Sequence, residues 1–125
     1  MKAKIKPRID LDNRTPLQTV IPLSTPYLVF LDPSDKCNAK CAWCPTGSGA
    51  AEKYRKPGLM EMDLYCKIID DLAAMPEMIK TLRLYMMGEP LLNPMLPTMI
   101  GIAKDSKRFG QIDTTTNGLL LCPVI

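Results

Sequence analysis

Tyr27-Leu28-Val29-Phe30-Leu31 runs on, across Asp32-Pro33-Ser34-Asp35-Lys36, into Cys37-Asn38-Ala39-Lys40-Cys41-Ala42-Trp43-Cys44. The first five residues are apolar, rich in β-branched and aromatic types, and bounded by Pro26 and Pro33. Such a run reads as a strand buried on both faces, as the strands of parallel sheets are. Three thiols in eight positions follow it directly, separated by three residues and then by two. Three thiolates cannot fill the four ligand positions of a closed zinc or iron–sulfur site. They are enough to hold three irons of a [4Fe-4S] cluster, leaving the fourth iron open to a ligand from outside the protein. The cysteines alone also suit thiol–disulfide exchange at a Cys-x-x-Cys pair, or part of a zinc site. A zinc knuckle would need a fourth ligand, and the chain has no His. Cys66 and Cys122 are the remaining thiols, and neither sits in a Cys-x-x-Cys pair.

Outward from this stretch, punctuation and periodicity set the order of the chain. Residues 1–25 are basic at first and then interrupted by Pro7, Pro16 and Pro22, which forbid a long helix. The expected division is an extended preamble over 1–25 and one domain over 26–125. Lys2, Lys4, Lys6 and Arg8 could form a nucleic-acid arm, but spaced charges on a terminus are ordinarily just solvated, so no nucleic-acid partner is expected. After the cysteines, Pro45, Gly47, Gly49, Pro57 and Gly58 mark a long loop over 45–60, and such loops are usually functional. The pattern is helical over 63–75, with Leu64, Ile68, Leu72 and Met75 on one side and Asp70 and Asp71 on the other. Residues 80–85 form a second strand, and Met86-Met87-Gly88-Glu89-Pro90 is the loop at its end. Leu96, Met99, Ile100 and Ala103 define a second amphipathic helix within 95–109, closed by Lys107, Arg108 and Gly110. Residues 111–115 form a third strand, and Thr116-Asn117-Gly118 a turn.

Strand, helix, strand, helix, strand argues for a parallel α/β unit with right-handed crossovers. Both helices then lie on one side of the sheet. The other face, expected to be apolar, would meet water, which predicts self-association or a partner completing the sheet. The three loops that follow the strands fall on the C-terminal edge, where ligand sites of parallel sheets gather.

The bulk properties agree with one globular domain. A chain of 125 residues, 46% hydrophobic and 23% charged, is long enough for a single core and too short for two of ordinary size. A net charge of +3 is mild and argues for no anionic partner. No apolar run approaches a membrane span, and Met1-Lys2-Ala3-Lys4-Ile5-Lys6 lacks the apolar stretch of a signal peptide, so no membrane partner is expected. Five cysteines, three of them clustered, suit metal ligands in a reducing compartment, which predicts a cytoplasmic protein. Met75, Met95 and Met99 lie at helical spacing and read as core, and Cys66 as a small buried residue.

The cysteine spacing resembles the CxxxCxxC signature of the radical S-adenosylmethionine (radical SAM) enzymes. The resemblance implies that Cys37, Cys41 and Cys44 are metal ligands to a [4Fe-4S] cluster whose open iron chelates S-adenosylmethionine, and that Trp43 lies beside the adenine. Met87-Gly88-Glu89-Pro90 resembles the family's Gly-Gly-Glu-Pro motif, whose strand-end backbone and Glu accept hydrogen bonds from the cofactor's amino group. An ammonium with three donors in a partly desolvated pocket wants acceptors and negative charge. The chain departs from that motif at Met87, where the first Gly would stand. Thr115-Thr116-Asn117-Gly118 resembles the family's Thr-Asn-Gly at the third strand end, with Thr116 and Asn117 suited to the cofactor's carboxylate or ribose, although Asn-Gly is also a common turn dipeptide. The resemblance covers about residues 26–121. It implies a partial parallel (β/α) barrel of the radical SAM type, about three βα units of six. It also implies a flavodoxin- or ferredoxin-like electron donor, and a 5′-deoxyadenosyl radical that abstracts hydrogen from an unknown substrate. With half the barrel missing, a catalytically inactive fragment or a plain redox or metal-binding module stands beside the enzyme.

Overall fold

The computed structural model describes residues 15–121, so Lys2, Lys4, Lys6, Arg8, Pro7 and Cys122 lie outside the described residues. Three strands, β1 (Leu28–Phe30), β2 (Ile79–Arg83) and β3 (Phe109–Asp113), form one parallel sheet in that order. Helix α1 (Met62–Ala73) connects the first two strands and α2 (Leu96–Asp105) the last two. The expected alternation is therefore present as a three-stranded βαβαβ unit. Among the described residues the sheet is open, without closure into a barrel.

Strand geometry sorts the side chains by parity. The register aligns Val29, Leu82 and Ile112 in one row, and all three belong to or pack on the core formed with both helices. The core itself is Tyr65 and Ile69 of α1, Leu82 and Leu84 of the sheet, and Leu96, Met99 and Ala103 of α2. Full burial of side chains such as Leu82, Leu84 and Met99 contributes about 1.5–3 kcal/mol each relative to exposure.

The opposite face differs from the expectation of strands buried on both sides. Its rows are Ile79 and Phe109, then Leu28, Thr81 and Gln111, then Phe30, Arg83 and Asp113. Leu28 and Phe30 are exposed, Thr81, Arg83, Gln111 and Asp113 are polar, and only at the start of the sheet is the face apolar and covered, at buried Ile79 and half-buried Phe109. Arg83 lies over the Phe30 ring, 5.4 Å from its centroid, and its Nε stands 3.5 Å from an Asp113 carboxylate oxygen. Tyr85 meets Phe30 edge-on at 5.9 Å. The face that the helices leave open is thus amphipathic and already paired across the strands.

Two local expectations are corrected. The buried stripe of α1 is Tyr65, Ile69 and Leu72, one residue along from the expected Leu64 and Ile68, and Leu64 is exposed. Tyr65 wins because its ring fills the core while its hydroxyl donates to the Met99 carbonyl at 2.8 Å, satisfying the one polar atom it buries. Helix α2 ends at Asp105, short of the expected span to 109, and Lys107 beyond it takes the left-handed conformation (φ 55°). Gly110 is in β3, where an added Cβ would stand 3.1 Å from the Lys80 carbonyl of the neighbouring strand. Arg108 turns back to donate to the Met75 and Glu77 carbonyls, closing the turn between α1 and β2. Of the three methionines read as core, Met99 is buried, Met75 half-buried and Met95 exposed; Cys66 is half-buried. The described part of the preamble holds a single 3-10 turn, Leu17–Thr19, and hooks onto the sheet end through Thr25, whose hydroxyl accepts from the Glu77 amide.

Candidate functional site at the C-terminal edge of the sheet

The cysteine loop leaves and re-enters the fold through a narrow neck. Ser34 pairs with Leu59 as an isolated antiparallel bridge, and the Met60 amide donates to the Pro33 carbonyl at 2.9 Å. Asn93, buried before α2, fastens this neck by donating to the Pro33 carbonyl at 2.8 Å and the Met60 carbonyl at 3.2 Å. Inside the neck, Arg55 reaches the Asp35 carboxylate at 2.7 Å and the Thr46 hydroxyl at 3.1 Å, while the other Asp35 oxygen accepts from the Gly58 amide. The long segment expected over 45–60 is therefore an ordered excursion containing the 3-10 turn Ala50–Lys53.

The loop after β2 lies directly against the start of this excursion. A Cβ on Gly88 would stand 1.9 Å from the Ser34 carbonyl oxygen and 2.6 Å from that of Lys36, so only glycine permits the approach. The Glu89 amide donates to the Lys36 carbonyl at 2.8 Å, and the Met87 amide to the Asp32 carboxylate at 2.7 Å. The close backbone contact belongs to Gly88, which explains why Met is tolerated at position 87. Pro90 is buried and opens a short turn, Pro90–Leu92, with the Glu89 carboxylate capping the Leu91 amide at 3.0 Å.

Glu89 is 2% exposed, and its carboxylate joins two loops. It accepts from the Thr116 hydroxyl at 2.6 Å and from the Asn117 amide at 2.7 Å. Asn117 in turn donates through its side-chain nitrogen to the Asn38 side-chain oxygen at 2.8 Å and to the Cys37 sulfur at 3.8 Å. The structure thus brings Cys37, Glu89, Thr116 and Asn117 together, at the ends of three different strands.

Cys41 and Cys44 lie further out. Cys37 and Cys44 are half-buried, Cys41 is exposed, and Trp43 is 99% exposed. Turns order this segment: the Cys44 amide donates to the Cys41 carbonyl at 3.1 Å, and Ser48 to the Cys44 carbonyl at 2.9 Å. Gly47 packs on the chain, since a Cβ there would lie 2.6 Å from the Cys41 amide nitrogen. The Gly47 and Thr46 backbone N–H groups hold the Cys44 thiol below its ordinary range, and Arg55 adds in the same direction. All three are free thiols on one loop, yet among the described residues no three Cys, Asp or Glu side chains stand together as a metal site. The donor chemistry fits an iron–sulfur group, being three thiols on one loop with N–H donors on the Cys37 sulfur from the Ala39 backbone at 3.4 Å and the Asn117 side chain at 3.8 Å.

Asp32 is a second feature of the edge. One carboxylate oxygen accepts from Met87, and the other is buried without a hydrogen-bond partner. Burial pushes this carboxyl up, against the pull of the Met87, Gly88 and Met86 amides. A cavity of about 480 Å³ borders the cysteine loop, lined by Asp35, Lys36, Cys37, Thr46, Glu52 and Lys56 among others. Asp32, Asp35, Arg55 and Asn93 are absent from any motif, and the Arg55–Asp35, Asp32–Met87 and Asn93–Pro33 bonds span 20 to 60 residues, so no local signal marks them.

Over 93 residues the chain is 32% identical to the tungsten-containing aldehyde ferredoxin oxidoreductase cofactor-modifying protein of Pyrococcus furiosus, covering 74% of this chain and 24% of that protein. Among solved structures its fold is similar to that of BtrN, crystallised in complex with AdoMet and 2-DOIA. The TM-score is 0.66 at 24% identity, over 77% of this chain and 37% of that one. No protein-family model matches the chain. The chain therefore spans about a quarter of the curated relative and little more than a third of the BtrN chain, and the structural likeness shows a shared fold. No helix among the described residues is long and apolar enough to cross a membrane.

Proposed function

We propose that this chain is the N-terminal part of a radical S-adenosylmethionine enzyme core. In this reading Cys37, Cys41 and Cys44 bind a [4Fe-4S] cluster and leave one iron for S-adenosylmethionine. The observation that carries the reading is the position of the three thiols: one loop, directly after the first strand of a parallel sheet, on a fold shared with a structure solved with AdoMet. The C-terminal edge is where such sheets hold their ligands. When bound, the reduced cluster would supply one-electron cleavage of the sulfonium and so hydrogen abstraction from a substrate.

The protein's own part is ligation and orientation. The Met87–Pro90 loop, pressed against residues 34–36 through Gly88, offers strand-end carbonyls to the cofactor's amino group beside the Glu89 charge. Trp43, on the exposed part of the loop, is free to stack on the adenine. The amphipathic open face, with Arg83 and Asp113, would line the substrate side once further strands complete the sheet. Substrate and electron donor belong to the whole protein, of which this chain matches a fraction.

Anaerobic reconstitution followed by iron and sulfide analysis tests the reading. It predicts about four of each per chain, and 5′-deoxyadenosine on reduction with S-adenosylmethionine if the chain carries enough of the core. Bound zinc, or a Cys41–Cys44 disulfide in place of iron and sulfide, would instead make this a metal-binding or redox module.

A further inference from the structure

We infer that Asn117 is a positioning residue for the cysteine site, donating from its side-chain amide to the Cys37 sulfur while Glu89 holds it in place. The inference rests on the cluster reading above but assigns Asn117 to the sulfur rather than to the cofactor's carboxylate or ribose. Its polar atoms are already engaged. The backbone amide donates to Glu89 at 2.7 Å, the side-chain oxygen accepts from the Leu119 amide at 3.0 Å, and the side-chain nitrogen serves Asn38 at 2.8 Å and Cys37 at 3.8 Å. An NH₂ group has two donors, and both are spent.

The support behind Asn117 is rigid. The Glu89 carboxylate is 2% exposed and accepts three protein hydrogen bonds, two of them at 2.6–2.7 Å, as charge-assisted bonds are. The chain Glu89–Asn117–Cys37 therefore runs from the end of β2, through the end of β3, to the loop after β1. Outer-shell partners of metal ligands orient them and tune the metal, and hydrogen bonds to cluster sulfurs set reduction potentials. An N–H on a ligand sulfur favours the more negative, reduced state. Removing it should lower the potential.

The test uses the full chain, reconstituted anaerobically with no S-adenosylmethionine present, so a role in contacting the cofactor would move nothing. Asn117→Leu removes both donors, and Asn117→Asp keeps the size and the acceptor for Leu119 but also lacks the donors. Potentiometric titration followed by electron paramagnetic resonance should show a lowered potential in either variant. The expected change is up to tenfold in the redox equilibrium, about 59 mV for one electron. A variant that stays folded by circular dichroism but holds less iron also supports the positioning role. Full clusters at an unchanged potential in both variants would overturn it, as would loss of the fold in both, since Asn117 would then hold the structure rather than the sulfur. An unsubstituted chain that takes up no iron and sulfide would remove the cluster reading itself, and the inference with it.

Discussion

The two ends of the cysteine loop are held in different ways. At the Cys37 end, the backbone of residues 34–36 is clasped by Gly88 and Glu89, and the sulfur is reached by Asn117, so three strand ends converge within a few ångströms. At the far end, Cys41 is exposed and Trp43 fully so, and the segment is ordered by its own turns together with the Arg55–Asp35 and Arg55–Thr46 contacts. One thiol is fixed by the sheet, and two ride on a segment that can open at lower cost. In the proposed reading a cluster would draw the three thiols together, and its binding energy would then include the closing of the loop.

The largest expected effect comes from the thiols. Cys37→Ala, Cys41→Ala or Cys44→Ala should each remove most of the iron taken up on reconstitution, while Cys66→Ala on α1 should leave it nearly intact. Equal losses from all four would break the distinction between the loop and the rest of the chain.

Gly88→Ala probes the fixed end. The new methyl would meet backbone oxygens rather than a flexible side chain, at 1.9 and 2.6 Å, so the loss should reach about 3 kcal/mol, the upper part of the overpacking range. Gly58, with nothing within 4 Å of an added Cβ, is the control, and Gly58→Ala should change stability by about 0.5 kcal/mol or less. Denaturant midpoints compare the two. Similar midpoints would mean that the clasp at Gly88 carries no strain.

Arg55→Ala probes the free end. It leaves the half-buried Asp35 carboxylate with only the Gly58 amide, a loss of about 1–3 kcal/mol that should act locally. Amide exchange should quicken over 45–58 and stay unchanged in β2 and α2. Faster exchange throughout would show that the two ends are one cooperative unit.

The smallest effect is a pH profile in the metal-free protein. The Cys44 thiol is held below its ordinary range, so its thiolate forms at lower pH. Its alkylation rate should therefore rise at lower pH than that of an ordinary exposed thiol. Because the Gly47 and Thr46 N–H groups come before Arg55 among the causes, Arg55→Ala should move the profile upward only slightly.

The alternation of strands and helices was legible because the apolar runs and helical stripes are long and punctuated by Pro26, Pro33 and Pro76. The exact stripe of α1 was not. Leu64-Tyr65 and Ile68-Ile69 offer two apolar lines one residue apart, and the choice rests on the Tyr65 hydroxyl finding Met99, 34 residues away. The open face carried a signal, since Thr81-Leu82-Arg83-Leu84-Tyr85 alternates as a strand covered on one side does. The need for a glycine at position 88 was legible in its loop, although the close approach it permits is to the backbone of residues 34–36. What Glu89 and Asn117 do with their polar atoms was not, because each bond crosses between loops that only the folded sheet brings together.

The central claim, that three thiols of this chain hold a cluster with one open iron, is tested most directly by low-temperature electron paramagnetic resonance of the reduced, reconstituted protein, recorded before and after adding S-adenosylmethionine. The expected result is a [4Fe-4S] signal whose g-values shift on addition, as a ligand reaches an iron that the protein leaves free. A spectrum that stays the same at saturating S-adenosylmethionine would contradict it.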